Sequence, residues 1–256
     1  MLLCVDIGNT NIKIGLFEDN ELRARWRLTT DRARLADEYA MLLLQLFESG
    51  EIRRESITGC AISSVVPTLT PVFLELAQRY LDCTPLIINP LIDYSMRIKT
   101  DDPREVGPDL IMNALAAREL YGSPVIVISF GTATTFTAVS KAGDLEGVAI
   151  APGIITSADS LFKAASVLPQ VALERPPAAL GHNTIDSLRS GMVLGFAALV
   201  EGLVKRFQTE LGGEAFVVAT GGLAEVISSE TEVIQAVEPD LALIGLRLAY
   251  ERMNSN

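Results

Sequence analysis

The sequence predicts an α/β protein built from two related units with a ligand cleft between them. Three observations carry this reading. Leu2–Phe17 reads as a buried strand, a polar glycine turn and a second strand. Pro124–Ser140 repeats that plan; shifted by 123 residues, Val5 falls on Ile128, Asp6 on Ser129, Ile7 on Phe130 and Gly8 on Gly131. The order strand hairpin, helix, strand, helix, strand runs through the first half and partly recurs in the second. The predicted domains are residues 1–118 and 119–256.

In the opening stretch, Leu2–Val5 is apolar and Asp6 ends the run. Gly8 supplies backbone freedom, and Asn9, Thr10 and Asn11 supply polar groups at the reversal. Ile12–Phe17 resumes as a strand around Lys13. Leu22–Leu28 continues as a third strand. Ala33–Ser49 is predicted helical on the stripe Leu35, Tyr39, Leu42, Leu43 and Leu46, stopped by Gly50. Gly59–Ser63 is a short buried strand. A helix with Leu69, Val72, Phe73, Leu76 and Tyr80 on one face follows, then a strand over Pro85–Asn89. Residues 90–104 read as irregular.

Gly107-Pro108-Asp109 opens a helix over Leu110–Tyr121, which Gly122 closes. Proline suits a first helical turn and a carboxylate suits its positive end. After the repeated hairpin, Leu145–Ile150 is a strand, Pro152-Gly153 a turn and Ser157–Ser166 a helix. Leu168–Leu180 is a proline-rich loop. Ser187–Gln208 is the longest predicted helix, and its Gly191, Gly195 and Gly202 cost propensity while permitting close approach of another helix. Ala215–Ala219 is a buried strand leading into Thr220-Gly221-Gly222. Helices over Leu223–Ser228 and Leu241–Met253 complete the chain.

Composition narrows the function. The chain has 256 residues, 49% of them apolar, enough for a substantial core. With 21 basic and 32 acidic residues, its net charge is −11, which argues against passive attraction of nucleic acid. Arg23, Arg25 and Arg27 alternate along one strand and read as a solvated face. Cys4, Cys60 and Cys83 form no zinc or disulfide pattern and read as reduced, buried thiols. No signal peptide and no run approaching membrane-spanning length is recognised, so the expectation is a cytoplasmic protein with no membrane partner.

Three glycine-bearing turns, each after a short apolar strand, are candidates for one nucleotide: Asp6–Asn11, Gly131–Thr135 and Thr220–Gly222. None is a Walker A sequence or a dinucleotide fingerprint. A buried-strand carboxylate beside free turn N–H groups suits a phosphate and its Mg²⁺. Phosphoryl transfer also needs a group to orient the acceptor hydroxyl, and Asp109 is the candidate; an ordinary helix-capping carboxylate is the alternative.

At this level of detail the chain resembles the type III pantothenate kinases, within the actin-like ATPase, sugar kinase and Hsp70 superfamily. The resemblance covers essentially the whole chain. It rests on DIGNTNIKIGLF at 6–17, DPREVGPD at 102–109, FGTATTF at 130–136, GVAIAPGI at 147–154, LGHNTIDSLRSG at 180–191 and TGG at 220–222. It implies duplicated ribonuclease-H-like domains and ATP-dependent phosphorylation of pantothenate to 4'-phosphopantothenate, the first step of coenzyme A biosynthesis. It implies Mg²⁺, a monovalent cation (K⁺ or NH₄⁺) and a homodimer.

By the same resemblance, Asp6 serves the metal and Gly8, Asn9, Thr10, Asn11 and Lys13 hold ATP. Gly131, Thr132, Gly221 and Gly222 add phosphate and adenosine contacts. Asp109 is the base, and Gly107, Pro108, Leu110 and Thr184 lie at the pantothenate site. Four positions depart from the family pattern. Leu110 replaces an arginine, Ser129 replaces a carboxylate that binds the monovalent cation, Thr137 replaces an aspartate and Val148 a glycine. A catalytically inactive, ligand-binding paralogue is therefore the alternative to a working kinase.

Overall fold

A computed structural model describes residues 1–165 and 168–254. Residue 166, placed in a helix by sequence, lies outside them. The chain divides into two compact units: residues 1–96, 101–116 and 241–256 in the first, 97–100 and 117–240 in the second. This differs from a division at 118/119 in two respects. The boundary falls inside a helix, and the C-terminal helix returns to the first unit.

The first unit contains β1 (Leu2–Ile7), β2 (Asn11–Glu18), β3 (Glu21–Thr29), α1 (Ala36–Ser49), β4 (Gly59–Ser64), α2 (Thr70–Leu81) and β5 (Leu86–Ile87). Their sheet order is β3-β2-β1-β4-β5, with β1–β2–β3 antiparallel and β1–β4–β5 parallel. Strand alternation sorts the two faces. Leu3, Val5, Ile7, Ile12, Ile14 and Leu16 join Tyr39, Leu43, Phe47, Phe73 and Leu76 of α1 and α2 in one core. Each such side chain contributes about 1.5–3 kcal/mol on full burial. Where the pattern predicts a helix from Ala33, α1 begins at Ala36, because Asp31 Oδ1 accepts from the Ala33 N–H and holds a turn there.

The opposite sheet face carries the last helix. At Gly15 an added Cβ would meet Leu243, and at Gly59 it would meet Tyr250, so two small strand residues admit that helix. The helix preceding the second hairpin, α3 (Pro108–Tyr121), is buried on every side from Leu110 to Ala117. Apart from Asn113 that span is apolar all round and has no solvent face to offer.

The second unit contains β6 (Val125–Phe130), β7 (Ala133–Val139), β8 (Leu145–Pro152), α4 (Ile154–Ala164), α5 (Thr184–Arg189), α6 (Gly195–Glu210), β9 (Phe216–Gly221), α7 (Ala224–Ser228) and β10 (Ala236–Val237). Leu241–Asn254 is α8. The second sheet runs β8-β7-β6-β9-β10 and repeats the first strand for strand. The 123-residue shift holds in the ladders: Leu2 pairs Gly59 and Asp6 pairs Ser63, while Val125 pairs Phe216 and Ser129 pairs Thr220. The two mixed sheets, each flanked by helices, are those of a duplicated actin-like ATPase fold.

The long helix exceeds its predicted span. A π-helical turn, Ser190–Leu194, fuses α5 and α6 into 27 residues from Thr184 to Glu210. With a mean hydropathy of 1.4 over its most apolar 18-residue window, it corrects the expectation that no run approaches membrane-spanning length. Its Val193, Ala197, Val200 and Val204 pack into the second unit's core with Ile126, Ile128, Phe136 and Val217. Strand β10 was not anticipated, two residues being too few to show a period. Cys4 and Cys60 are buried thiols, but Cys83 is only half-buried.

Candidate active site

In the first unit the candidates converge at the end of β1. Asp6 closes the apolar strand and is 7% exposed. Its cross-strand partner on one side is Lys13 and on the other Ser63. The turn between β1 and β2 is closed by the Gly8 N–H donating to Asn11 O at 3.0 Å. The segment after β3 braces it. Thr30 Oγ1 donates to Gly8 O at 2.7 Å, the Thr30 N–H donates to Thr10 O, and Arg32 donates to Asn9 Oδ1. Thr30 and Arg32 escaped the sequence reading because nothing in their local pattern ties them to residues 8–10.

Asp109 lies in the first turn of α3, in the same unit. A Cβ at position 107 would come within 2.5 Å of Asp109 Oδ1, so Gly107 lets the carboxylate fold back over the helix start. Burial, and next the negative charge of Asp6, push the Asp109 carboxyl up to about 6; the N–H groups of Leu110 and Asp109 and the Lys13 charge oppose this. Asp6 is also raised, by burial first, with Lys13 and then the Ser63 hydroxyl acting against it. The Ser63 hydroxyl is fully buried and is not itself at hydrogen-bond geometry with any group. Asn113, one turn beyond Asp109, has a buried, unpartnered Oδ1. Leu110 is 6% exposed and packs as an apolar residue.

The second unit builds a matching turn. The Gly131 N–H donates to Ala133 O at 3.0 Å. The start of α4 braces the turn as the segment after β3 does in the first unit: the Gly153 N–H and Thr156 Oγ1 both donate to Thr132 O. In place of a separate turn, β8 ends at Pro152 and Gly153 is the N-cap of α4; a Cβ at 153 would overlap the Gly131 and Thr132 carbonyls. Gly221 has φ +101°, and a Cβ on it would overlap the Phe130 backbone. Gly222 has open space around it and donates to Phe130 O. Ser129 lies between Thr135 and Thr220 in the ladders. The hydroxyls of Thr220 and Thr134 are buried without partners.

Other positions stand apart from these turns. Thr184 is exposed at the start of α5, which Asn183 caps through the Asp186 N–H. Thr137 and Val148 are cross-strand partners, so two of the four departures form one packing pair within the β7–β8 ladder. Val148 also lines a hollow of about 470 Å³ with Glu146, Phe207 and Glu210, which includes none of the turn residues. His182 is exposed.

For Mg²⁺, the test is the donor set. A single buried carboxylate at Asp6 beside the orphan Ser63 oxygen fits an ion that completes its shell with substrate phosphates and water. For a monovalent cation, Ser129 and its cross-strand partner Thr220 provide neutral oxygens. No cluster of three or more His, Cys, Asp or Glu side chains able to hold a metal occurs among the described residues. The charged site that the family pattern implies at residue 129 does not fit.

Comparison with known proteins agrees with the motifs. The family model "Type III pantothenate kinase" matches residues 2–206. The type III pantothenate kinase of Roseiflexus sp. strain RS-1 is 55% identical over 255 residues, covering 100% of both chains. That of Thermomicrobium roseum is 52% identical over 254 residues, covering 99% of this chain and 98% of its own. Among solved structures, the activator of 2-hydroxyisocaproyl-CoA dehydratase from Clostridium difficile, with bound ADPNP, superposes with a TM-score of 0.60 at 13% identity. It covers 100% of this chain and 97% of that one, a likeness of fold.

Proposed function

Because the chain belongs to the type III pantothenate kinase family, we propose that it transfers the γ-phosphoryl group of ATP to the primary hydroxyl of pantothenate. The product is 4'-phosphopantothenate, which opens coenzyme A synthesis. The observation that carries the mechanism is the placement of Asp109 in the first turn of α3, its carboxylate folded back over Gly107 in the unit that holds Asp6 and Lys13, where burial and the Asp6 charge raise it to about 6 in the absence of metal. Such a group is ionised at neutral pH yet basic enough to take a proton.

In this reading the acceptor hydroxyl gives its proton to Asp109 as its oxygen bonds to the γ-phosphorus. The bond to the β,γ-bridging oxygen breaks and ADP leaves. The N–H groups of the Gly8–Asn11 turn other than that of Gly8, which Asn11 O holds, donate to the phosphates, and Lys13 offsets their charge. Asp6, with Ser63 beside it, would hold Mg²⁺, which when bound neutralises charge on the phosphate oxygens. Gly131 and Thr132 take phosphate contacts, and Gly221 and Gly222 leave backbone room for adenosine. Gly107, Pro108, Leu110 and Thr184 are assigned to pantothenate. No step runs through a monovalent cation. We assign duplicated ribonuclease-H-like domains and a cytoplasmic location as family properties.

A homodimer is part of the proposal. Ile150, Ile155, Leu180 and Ile185 are exposed apolar side chains of the second unit. Gly191, Gly195 and Gly202 present open space along the long helix, so another helix could approach closely.

The test is pantothenate phosphorylation with ATP and Mg²⁺ by the wild type and Asp109→Asn. Turnover lost in the variant, with nucleotide binding intact, supports the kinase. Wild-type nucleotide binding without turnover, restored by Leu110→Arg/Ser129→Asp, supports the inactive paralogue.

A further inference from the structure

We infer that Arg27 is a further phosphate-binding residue, forming with Lys13 a paired cationic grip on the polyphosphate tail of the nucleotide. The inference rests on the kinase reading above and adds a residue to its site.

The geometry comes from ladder register. Ser63, Asp6, Lys13 and Arg27 are successive partners across β4, β1, β2 and β3 and so share one sheet face. Directly opposed cross-strand residues hold their Cβ atoms about 5 Å apart, and like charges so placed repel. Lys13 has Asp6 on its other side. Arg27 is exposed and has no hydrogen-bond or ion-pair partner among the described residues.

Many of the other arginines are held by carboxylates. Arg23 pairs with Glu18, Arg34 with Asp31, Arg79 with Glu75, Arg97 with Asp144 and Arg189 with Glu174. With 32 carboxylates against 21 cations, an arginine without a carboxylate, set against a lysine that already faces Asp6, leaves one positive charge without a counterion beside the glycine turn. Arg32 adds a further cation close by, its guanidinium on the amide oxygen of Asn9 in the glycine turn. A guanidinium grips phosphate through two parallel N–H donors, and a polyphosphate is long enough to lie along the turn and reach the row beyond it.

A different role for Arg27 would be to blunt an edge strand by charge, since β3 ends its sheet. That role predicts no effect on nucleotide affinity. The experiment measures binding of ATP, ADP and AMP by calorimetry to the full-length wild type, Arg27→Gln and Arg27→Lys. Arg23→Gln, on the same strand, is the control, and melting curves verify folding. The expected result is ATP affinity about tenfold weaker in Arg27→Gln, partly recovered in Arg27→Lys. AMP affinity stays unchanged, and Arg23→Gln matches wild type. Wild-type ATP affinity in a folded Arg27→Gln overturns the inference alone. Equal loss for AMP and ATP overturns it too, marking a general structural effect. Wild type that binds no nucleotide overturns both this inference and the kinase reading.

Discussion

Asp109 carries the electrostatic imprint of Asp6: after burial, the Asp6 charge is the largest influence raising the Asp109 carboxyl to about 6. The two carboxylates come from elements far apart in sequence, β1 and α3, yet belong to one unit. The relationship predicts coupled titration. In metal-free protein, carbon-detected NMR should show Asp109 titrating near 6, and Asp6→Asn should move that midpoint downward. An unmoved midpoint would mean that the charges do not communicate.

The same shift predicts a dependence of stability on pH. The folded-state pKa of Asp109 lies above the ordinary value of 3.8. Its contribution is therefore fully present below about pH 4 and is lost as pH rises through about 6. Asp109→Asn removes a carboxylate that is ionised and partly desolvated at pH 8. The expected outcome is a metal-free variant more stable than wild type by about 1–3 kcal/mol at pH 8 and equal to it near pH 4. Urea unfolding at the two pH values checks this. A variant less stable at pH 8 would show that the carboxylate is a net stabilising partner.

Much of this arrangement was legible in the sequence because it is local. Strand period, glycine turns and the helix start at Pro108 are short-range signals, and the repeat of Asp6–Gly8 at Ser129–Gly131 survives as matching register in the parallel ladders β1–β4 and β6–β9, the second hairpin being one residue shorter. The return of α8 to the first sheet was not legible, since an amphipathic helix does not say which sheet it will cover. Nor were the braces from Thr30, Arg32 and Thr156, which act across sequence gaps of more than twenty residues. The four departures looked equivalent in sequence. The ladders separate them: Thr137 and Val148 face each other, whereas Ser129 sits at the turn.

Gly221 and Gly153 test whether backbone proximity, and not flexibility, keeps glycine at the second turn. Gly221→Ala puts a methyl group into the Phe130 backbone at positive φ, and Gly153→Ala puts one into the Gly131 and Thr132 carbonyls. Each should cost about 1–3 kcal/mol in thermal or urea unfolding and weaken nucleotide binding. Gly222→Ala, with nothing near its added Cβ, should leave stability within about 0.5 kcal/mol of wild type.

Gly245→Ala should act through the first unit instead. A Cβ at that position in α8 would overlap the Met112 carbonyl of α3, whose next turn back carries Asp109. Forcing the helices apart should lower stability by about 1–3 kcal/mol and reduce kcat more than ATP affinity, because α3 carries the base while β1 and β2 carry the phosphate turn. Equal losses in both would assign the effect to general unfolding.

The last prediction concerns the monovalent cation. Ser129 and Thr220 are cross-strand partners that set neutral hydroxyls on one sheet face at the end of β6, that of Thr220 buried without a partner, whereas Thr134 pairs with Phe130 on the other face. A carboxylate at position 129 would attract a cation by direct charge interaction, whereas a serine hydroxyl offers only a dipole. Wild-type turnover should therefore change less than about twofold between K⁺ and a large organic cation at constant ionic strength, a barrier difference of under 0.5 kcal/mol. Ser129→Asp should introduce dependence on K⁺ by adding the missing charge beside the unpaired Thr220 hydroxyl. Steep K⁺ activation of the wild type would show that the hydroxyl set suffices to bind the ion, and the loss of the carboxylate would then have no consequence for cation use.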